Sequence, residues 1–239
     1  MNDSARYCTI QVDVDGLWVI GKLLGRDFSG ESDPVFDTGI DSLLKIFYEF
    51  GVKATFFIVA KDLESNVNRE IVKRIIESGH EIASHSISHR ALTTLKENEL
   101  DLELRAPAKN LGSISLVYPG GAYNQQVKQV ARKYYWCART AEKGINELPI
   151  KDWFGLKTFM LTKNKNLYHK LKQERLLKSY IKETKKKSAW LILSYHLVSD
   201  KNKKYKFTTT TREFKKHLKW VLEASLKITT LKEFKNSLS

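Results

Sequence analysis

Gly79–His89 reads GHEIASHSISH. The apolar-polar run His80–Ser84 suits a short strand, and it delivers His85. His89 follows four residues later. A helical turn there would put both imidazoles on one face, close enough to share one metal ion. Two histidines need a carboxylate or a third donor to complete such a site. Thr9–Gly16, TIQVDVDG, offers one, because strand alternation sends Asp13 and Asp15 to the same side.

Working outward, strands and helices alternate. Tyr7–Asp15 is a strand, followed by a glycine-punctuated loop (Gly16, Gly21, Gly25, Gly30). Phe36, Ile40, Leu43, Leu44 and Phe47 recur at helical spacing, and Gly51 stops that helix. Ala54–Ala60 reads as a buried strand, and Ile71, Val72, Ile75 and Ile76 as a helix face. Thr94 to Glu97 reads as a capping box. Ile114–Tyr118 is a strand that runs into Pro119-Gly120-Gly121. Val127, Val130, Ala131 and Tyr134 mark a helix, and Tyr135–Thr140 a strand. Ala141–Lys165 shows no clear period and reads as loops with short pieces of structure. Asn166–Thr184 is a helix, and Ala189–Tyr195 a continuous apolar strand ending in His196. Thr210/Glu213 and Thr230/Glu233 open the last two helices, either side of a short strand at Lys227–Thr229.

This alternation predicts a parallel sheet, either open and doubly wound or an incomplete barrel. In both, ligands bind at the C-terminal ends of the strands. Asp13, Asp15, His85, His89, Tyr118–Gly121 and His196 all fall at such ends. That coincidence outweighs the bland reading of each member alone. A single His-x-x-x-His arises by chance on helix surfaces, and an Asp-x-Asp before glycine is often only a turn. His80, His169 and His217 read as structural or surface histidines.

Composition narrows the class. The 239 residues are 42% hydrophobic and 28% charged, with 4 Pro and 12 Gly, which fits one folded domain spanning residues 1–239. No apolar run is long enough to span a bilayer. The start, MNDSARYCTIQVDVDG, lacks a charged-then-apolar signal pattern, so a cytoplasmic protein is expected. Cys8 and Cys137 lie in separate apolar runs and read as reduced core residues. The net charge of +14 concentrates in KETKKK (182–187) and KNKKYK (201–206). These read as solvated, lysine-rich segments, and no nucleic-acid partner is expected, for no base-reading pattern is present. Oligomeric state is not legible.

The residues point to a metal-dependent hydrolase. Asp15, His85 and His89 form a His₂-carboxylate set that suits one divalent ion, zinc first, with cobalt, nickel or iron able to substitute. Asp13 lies beside it as a base for the attacking water, and His196 arrives from another strand as the acid for the leaving nitrogen. Glycines in Tyr118-Pro119-Gly120-Gly121 let a substrate approach backbone N–H groups.

These motifs resemble the polysaccharide deacetylases of the chitooligosaccharide (NodB-homology) type, from Thr9 to about Phe234. DVDG (13–16), KATFFIV (53–59), GHEIASHSISHRALTTL (79–95), VYPGGAYN (117–124) and ILSYH (192–196) carry the resemblance. It implies a distorted (β/α) barrel of about seven parallel strands and hydrolysis of an N-acetyl group from an amino-sugar glycan or precursor, releasing acetate. It also implies Asp13 as base, Asp15, His85 and His89 as ligands, His196 as acid and the Gly120 N–H as oxyanion donor. The chain departs from the family pattern at Val117, where an arginine is usual; Arg139 on a neighbouring strand is the candidate replacement, and its distance from Asp13 decides. Arg90 follows His89 in place of proline, and Ser194 stands in place of leucine. Asp152-Trp153 is the fourth-motif counterpart. Two other readings share the scaffold: an allantoinase-like or cyclic imidase C–N hydrolase, and a non-catalytic carbohydrate-binding protein.

Overall fold

In the computed structural model, residues 6–28, 30–162, 166–201, 205 and 207–238 are described. Seven parallel strands close on themselves. They are β1 (Tyr7–Val14), β2 (Thr55–Ile58), β3 (Glu81–Ser84), β4 (Ser115–Val117), β5 (Cys137–Lys143), β7 (Leu156–Met160) and β8 (Ala189–Tyr195). Each pairs with the next, and β8 pairs back onto β1 over six residues, Tyr7 opposite Trp190 to Val12 opposite Tyr195. The expected (β/α) barrel is therefore present, and closed. Two-residue strands trim it. β6 (Asn146–Glu147) lies antiparallel to the start of β8. β9 (Leu197–Val198) and β10 (Thr208–Thr209) pair beyond the top of β8. β11 (Lys227–Ile228) takes the edge of β1 below β2.

Among the described residues, eight α-helices accompany the strands: α1 (Leu17–Leu24), α2 (Ile40–Phe50), α3 (Asn66–Glu77), α4 (Glu97–Leu111), α5 (Gln125–Ala131), α6 (Leu167–Lys186), α7 (Thr211–Glu223) and α8 (Leu231–Asn236). The alternation in β1 decides what each side does. Cys8, Ile10, Val12 and Val14 join a core with Leu43 and Phe47 of α2 and Leu218 and Val221 of α7. Burying each such large side chain stabilises by roughly 1.5–3 kcal/mol. The other face looks into the barrel, where Thr9 accepts from the Trp190 indole (3.2 Å) and Thr158 donates to Ser194 (3.2 Å). Ser194 is thus a buried interior hydrogen-bond partner. Cys8 and Cys137 are buried free thiols.

Several local expectations give way. The glycine-rich stretch after β1 holds helix α1, whose first N–H is accepted by Asp33 (2.6 Å), and Gly25 ends it at φ +63°. The glycines misdirect because one of them, Gly21, is interior to the helix, where the Phe28 ring and the Arg26 carbonyl crowd it. One of the short pieces of structure in the segment 141–165 is more than a loop fragment: β7 is a barrel strand, with Leu156, Thr158 and Phe159 buried and Lys157 exposed. Five residues interrupted by a lysine are too short to show a period. Helix α4 starts at Glu97 rather than after Thr94. Glu99 accepts from the Lys96 N–H at 3.3 Å, and Leu92–Thr94 is a 3-10 turn. The boxes at Thr210/Glu213 and Thr230/Glu233 form as expected. Of the basic run 201–206, residues 202–204 and 206 lie outside the described residues. No helix among the described residues is long and apolar enough to cross a membrane.

Candidate active site

At the C-terminal mouth of the barrel, β1, β3 and β8 bring their chain ends together. Asp15 leaves β1, His85 leaves β3, and His196 leaves β8. The His85 ring is fixed through Nδ1, 2.9 Å from the Val117 carbonyl at the end of β4. That leaves Nε2 facing Asp15, 3.4 Å from Oδ1. His89 Nε2 lies 3.6 Å from the same oxygen. The two imidazoles meet edge to face, with centroids 4.7 Å apart.

The juxtaposition of His85 and His89 is as expected, but no helical turn makes it. Residues 85–90 are irregular, with Ser86 at φ +65° and His89 at φ +50°. Left-handed conformations are uncommon for residues with a Cβ, so this turn depends on outside support. Ser86 supplies part of it by accepting the His89 N–H at 3.1 Å.

Asp15 Oδ1 is buried and has no hydrogen-bond partner among the described residues. An orphaned carboxylate oxygen inside a protein is costly. Its two histidine neighbours stand at 3.4 and 3.6 Å. Tetrahedral ligands at zinc-like bond lengths are separated by about 3.3 Å. Asp15, His85 and His89 form the one cluster of three potential ligand residues among the described residues whose donor atoms lie within 4.8 Å of one another. The donor set and its spacing fit a divalent cation.

Beside it, Arg139 of β5 hydrogen-bonds both carboxylate oxygens of Asp13. Both side chains are buried. Burial pushes the Asp13 carboxyl up, but Arg139 and the neighbouring histidines outweigh it and hold the group below the usual carboxylate range. Asp15 is likewise pushed up by burial and pulled further down by His85. His196 Nε2 faces both acids, 3.6 Å from Asp15 Oδ2 and 3.9 Å from Asp13 Oδ2, and its ring stacks on Phe207 at 5.0 Å. Tyr205 donates to the Asp15 carbonyl at 2.9 Å.

A cavity of about 140 Å³ opens over these groups, walled by Tyr118, Gly120, Gly121, Thr140, Met160, Phe207 and Leu23. Pockets that engulf a drug-sized ligand start near ~300 Å³, so this one suits a small acyl group and part of its carrier. Gly120 and Gly121 both have positive φ, and a Cβ on Gly121 would stand 2.5 Å from that of Ala141. Trp153 is placed elsewhere. It packs against Trp136 (4.5 Å) and Trp190 (6.4 Å), near the start of β8 and away from the cavity. Its neighbour Asp152 is engaged with Lys128 at the surface. Neither side chain supplies a fourth motif at the mouth.

Comparison with known proteins bears on the fold and the family. The sequence model of the family described as Polysaccharide deacetylase matches residues 33–135. Over that stretch the chain resembles the polysaccharide deacetylases. It is 39% identical over 69 residues to a peptidoglycan-N-acetylglucosamine deacetylase of Bacillus cereus, covering 27% of this chain and 24% of that protein. It is 25% identical over 141 residues to an uncharacterised 30.6 kDa protein of Geobacillus stearothermophilus, 52% of each chain. The chain therefore spans about half the length of one curated relative and a quarter of the other. Among solved structures, one from Mycobacterium smegmatis named as a polysaccharide deacetylase superposes with a TM-score of 0.67 at 17% identity, covering 99% of this chain and 92% of that one. A CE4 family pseudoenzyme from Bacillus anthracis superposes with a TM-score of 0.57 at 14% identity, over 97% and 66%. At these identities the structures speak for the fold. Arg139, which holds Asp13, stands on the strand next to β4. Val117 of β4 is paired in register with Arg139 of β5.

Proposed function

We propose that this chain is a metal-dependent carbohydrate N-deacetylase that hydrolyses an N-acetyl group on an amino-sugar glycan or sugar precursor. The observation that carries the reading is the buried Asp13–Arg139 pair beside the Asp15–His85–His89 cluster. A base held ionised next to a cation cradle is what amide hydrolysis by water requires. The names of the curated relatives support the substrate class: chitin deacetylase and peptidoglycan-N-acetylglucosamine deacetylase both act on N-acetylated glycans.

Asp15, His85 and His89 would hold the ion, zinc being the first choice for this donor set. When bound, such an ion supplies Lewis acidity toward a carbonyl and acidifies water. Asp13 accepts the proton of the attacking water, its second function being to keep Arg139 paired. Arg139 fixes the rotamer and charge of Asp13. His196 Nε2, across the cavity, donates a proton to the departing nitrogen. The Gly120–Gly121 turn brings main chain against the acyl oxygen, where a side chain would block approach.

The test is Asp13→Asn on chelator-free protein, assayed for acetate release from N-acetylglucosamine oligomers alongside metal content by mass spectrometry. The expected result is a loss of turnover by about 10²–10⁴, the usual contribution of a positioned base, with metal retained. Near-normal acetate release by the variant would remove Asp13 from the mechanism. Absence of any release by wild-type protein carrying metal would turn attention to the non-catalytic reading.

A further inference from the structure

Glu103 is a buried carboxylate, 6% exposed, with no part in the chemistry just described. It lies in the second turn of α4, on the stripe formed by Leu100, Leu104 and Pro107, which faces inward. A glutamate at an apolar-stripe position needs strong partners. Among the described residues, all three groups that donate to it belong to the turn between the two histidines. Oε2 accepts the Ile87 N–H at 2.9 Å and the Ser88 N–H at 3.1 Å, while Oε1 accepts the Ser88 hydroxyl.

The turn it grips is the strained one. Ser86 and His89 both sit at positive φ, a conformation disfavoured for a residue with a Cβ. His85 is positioned independently by β3 and by the Val117 carbonyl. His89 has no strand behind it. The turn that aims it is held by the Ser86 hydroxyl on its own N–H, by the Ala60 and Lys61 N–H groups on the Ser86 and Ile87 carbonyls (3.0 and 2.9 Å), and by the Glu103 carboxylate on the two residues before it.

We propose that Glu103 is a positioning residue for His89: it holds the left-handed turn that aims the His89 imidazole at Asp15, and cation retention depends on it. The proposal rests on the reading that Asp15, His85 and His89 hold a divalent ion. The role belongs to hydrogen-bond geometry rather than to charge. A carboxamide oxygen at the Oε2 position can accept both N–H groups, and its NH₂ can donate to the Ser88 oxygen.

The experiment titrates chelator-stripped wild type, Glu103→Ala, Glu103→Asp and Glu103→Gln with Co²⁺ and Zn²⁺. Dissociation constants, the visible Co²⁺ spectrum and the urea midpoint are recorded, with His89→Ala as the reference for a lost ligand. Glu103→Gln is expected within about 3-fold of wild type. Glu103→Ala is expected to bind 10–100-fold more weakly, the range for removing the support of a ligand, with an altered Co²⁺ spectrum. Glu103→Asp, one methylene short of the turn, follows the alanine variant and serves in its place if that variant does not fold. Wild-type affinity and spectrum in folded Glu103→Ala or Glu103→Asp would overturn the proposal alone. A loss in Glu103→Gln as large as in Glu103→Ala would overturn its geometric basis. Failure of wild type to bind either ion would overturn the cation reading on which it stands.

Discussion

Asp13 and Arg139 are 126 residues apart in sequence, and their contact carries the acid–base reading. A buried ion pair of this kind holds only because each partner removes the penalty of the other. Another acid on the same face has no such partner. Asp62, just after β2, is 6% exposed; the Trp18 indole donates to Oδ1, and Oδ2 is unpartnered among the described residues. Burial pushes its carboxyl up to about 7, with Asp33 and Asp15 nearby adding to the effect and Trp18 opposing it. The folded state therefore holds this proton more tightly than the unfolded chain. Stability is fully present below the unfolded pKa near ~4 and is lost as pH rises through about 7. In metal-free protein, Asp62→Asn is expected to flatten the fall in stability between pH 4 and 7. Urea midpoints across that range check it; an unchanged slope would show that Asp62 does not titrate there. Arg139 was legible as a residue type at a strand end. Glu103 carried one signal, an acid between Leu100 and Leu104 on an apolar stripe, but helices often tolerate an acid at the edge of such a stripe.

The elements that matter most are the least regular. Helix periodicity assigns α2, α3 and α7 from their apolar spacing, yet the ligand turn 85–90 and the Pro119–Gly121 turn have no period at all. Their shapes follow from positive φ at four residues, Ser86, His89, Gly120 and Gly121. The two glycines differ in a way that only packing decides. A Cβ on Gly120 would meet nothing within 4 Å, whereas one on Gly121 would collide with Ala141 of β5. Gly120→Ala should therefore cost about 1 kcal/mol from backbone conformation alone. Gly121→Ala should cost roughly 2–4 kcal/mol, because overpacking adds to it. Chemical denaturation of the two variants separates them, and equal midpoints would contradict the placement of the turn against β5.

At the scale of the molecule, barrel closure does two jobs. It sets β1 beside β8, so that Asp13, Asp15 and His196 share one mouth, and it leaves an interior whose opposite end must be filled. Helix α8 fills it. Phe234, fully buried, packs on Trp190 (4.1 Å) and Tyr7 (5.0 Å). Phe234→Ala should destabilise by about 3–5 kcal/mol. At this chain length that lowers the Tm by roughly 6–20 °C, with the cation affinity of the folded protein unchanged. A calorimetric scan beside a Co²⁺ titration would check both parts; loss of affinity at full folding would mean that the two ends of the barrel are coupled.

The alternation of strands and helices, the placement of the Asp, His and Gly motifs at strand ends, and the caps at Thr210 and Thr230 were determined by the amino-acid sequence itself. Each rests on periodicity or on contacts within four residues. Closure of the barrel, the strand at Leu156–Met160, the pairing of Arg139 with Asp13 and the non-helical turn at His85–His89 were decided by tertiary structure. They depend on register between distant strands and on a clamp from α4, and no local pattern encodes a distance between residues far apart in the chain. The same reason explains Trp153: its neighbour in sequence is an acid, but its neighbours in space are Trp136 and Trp190.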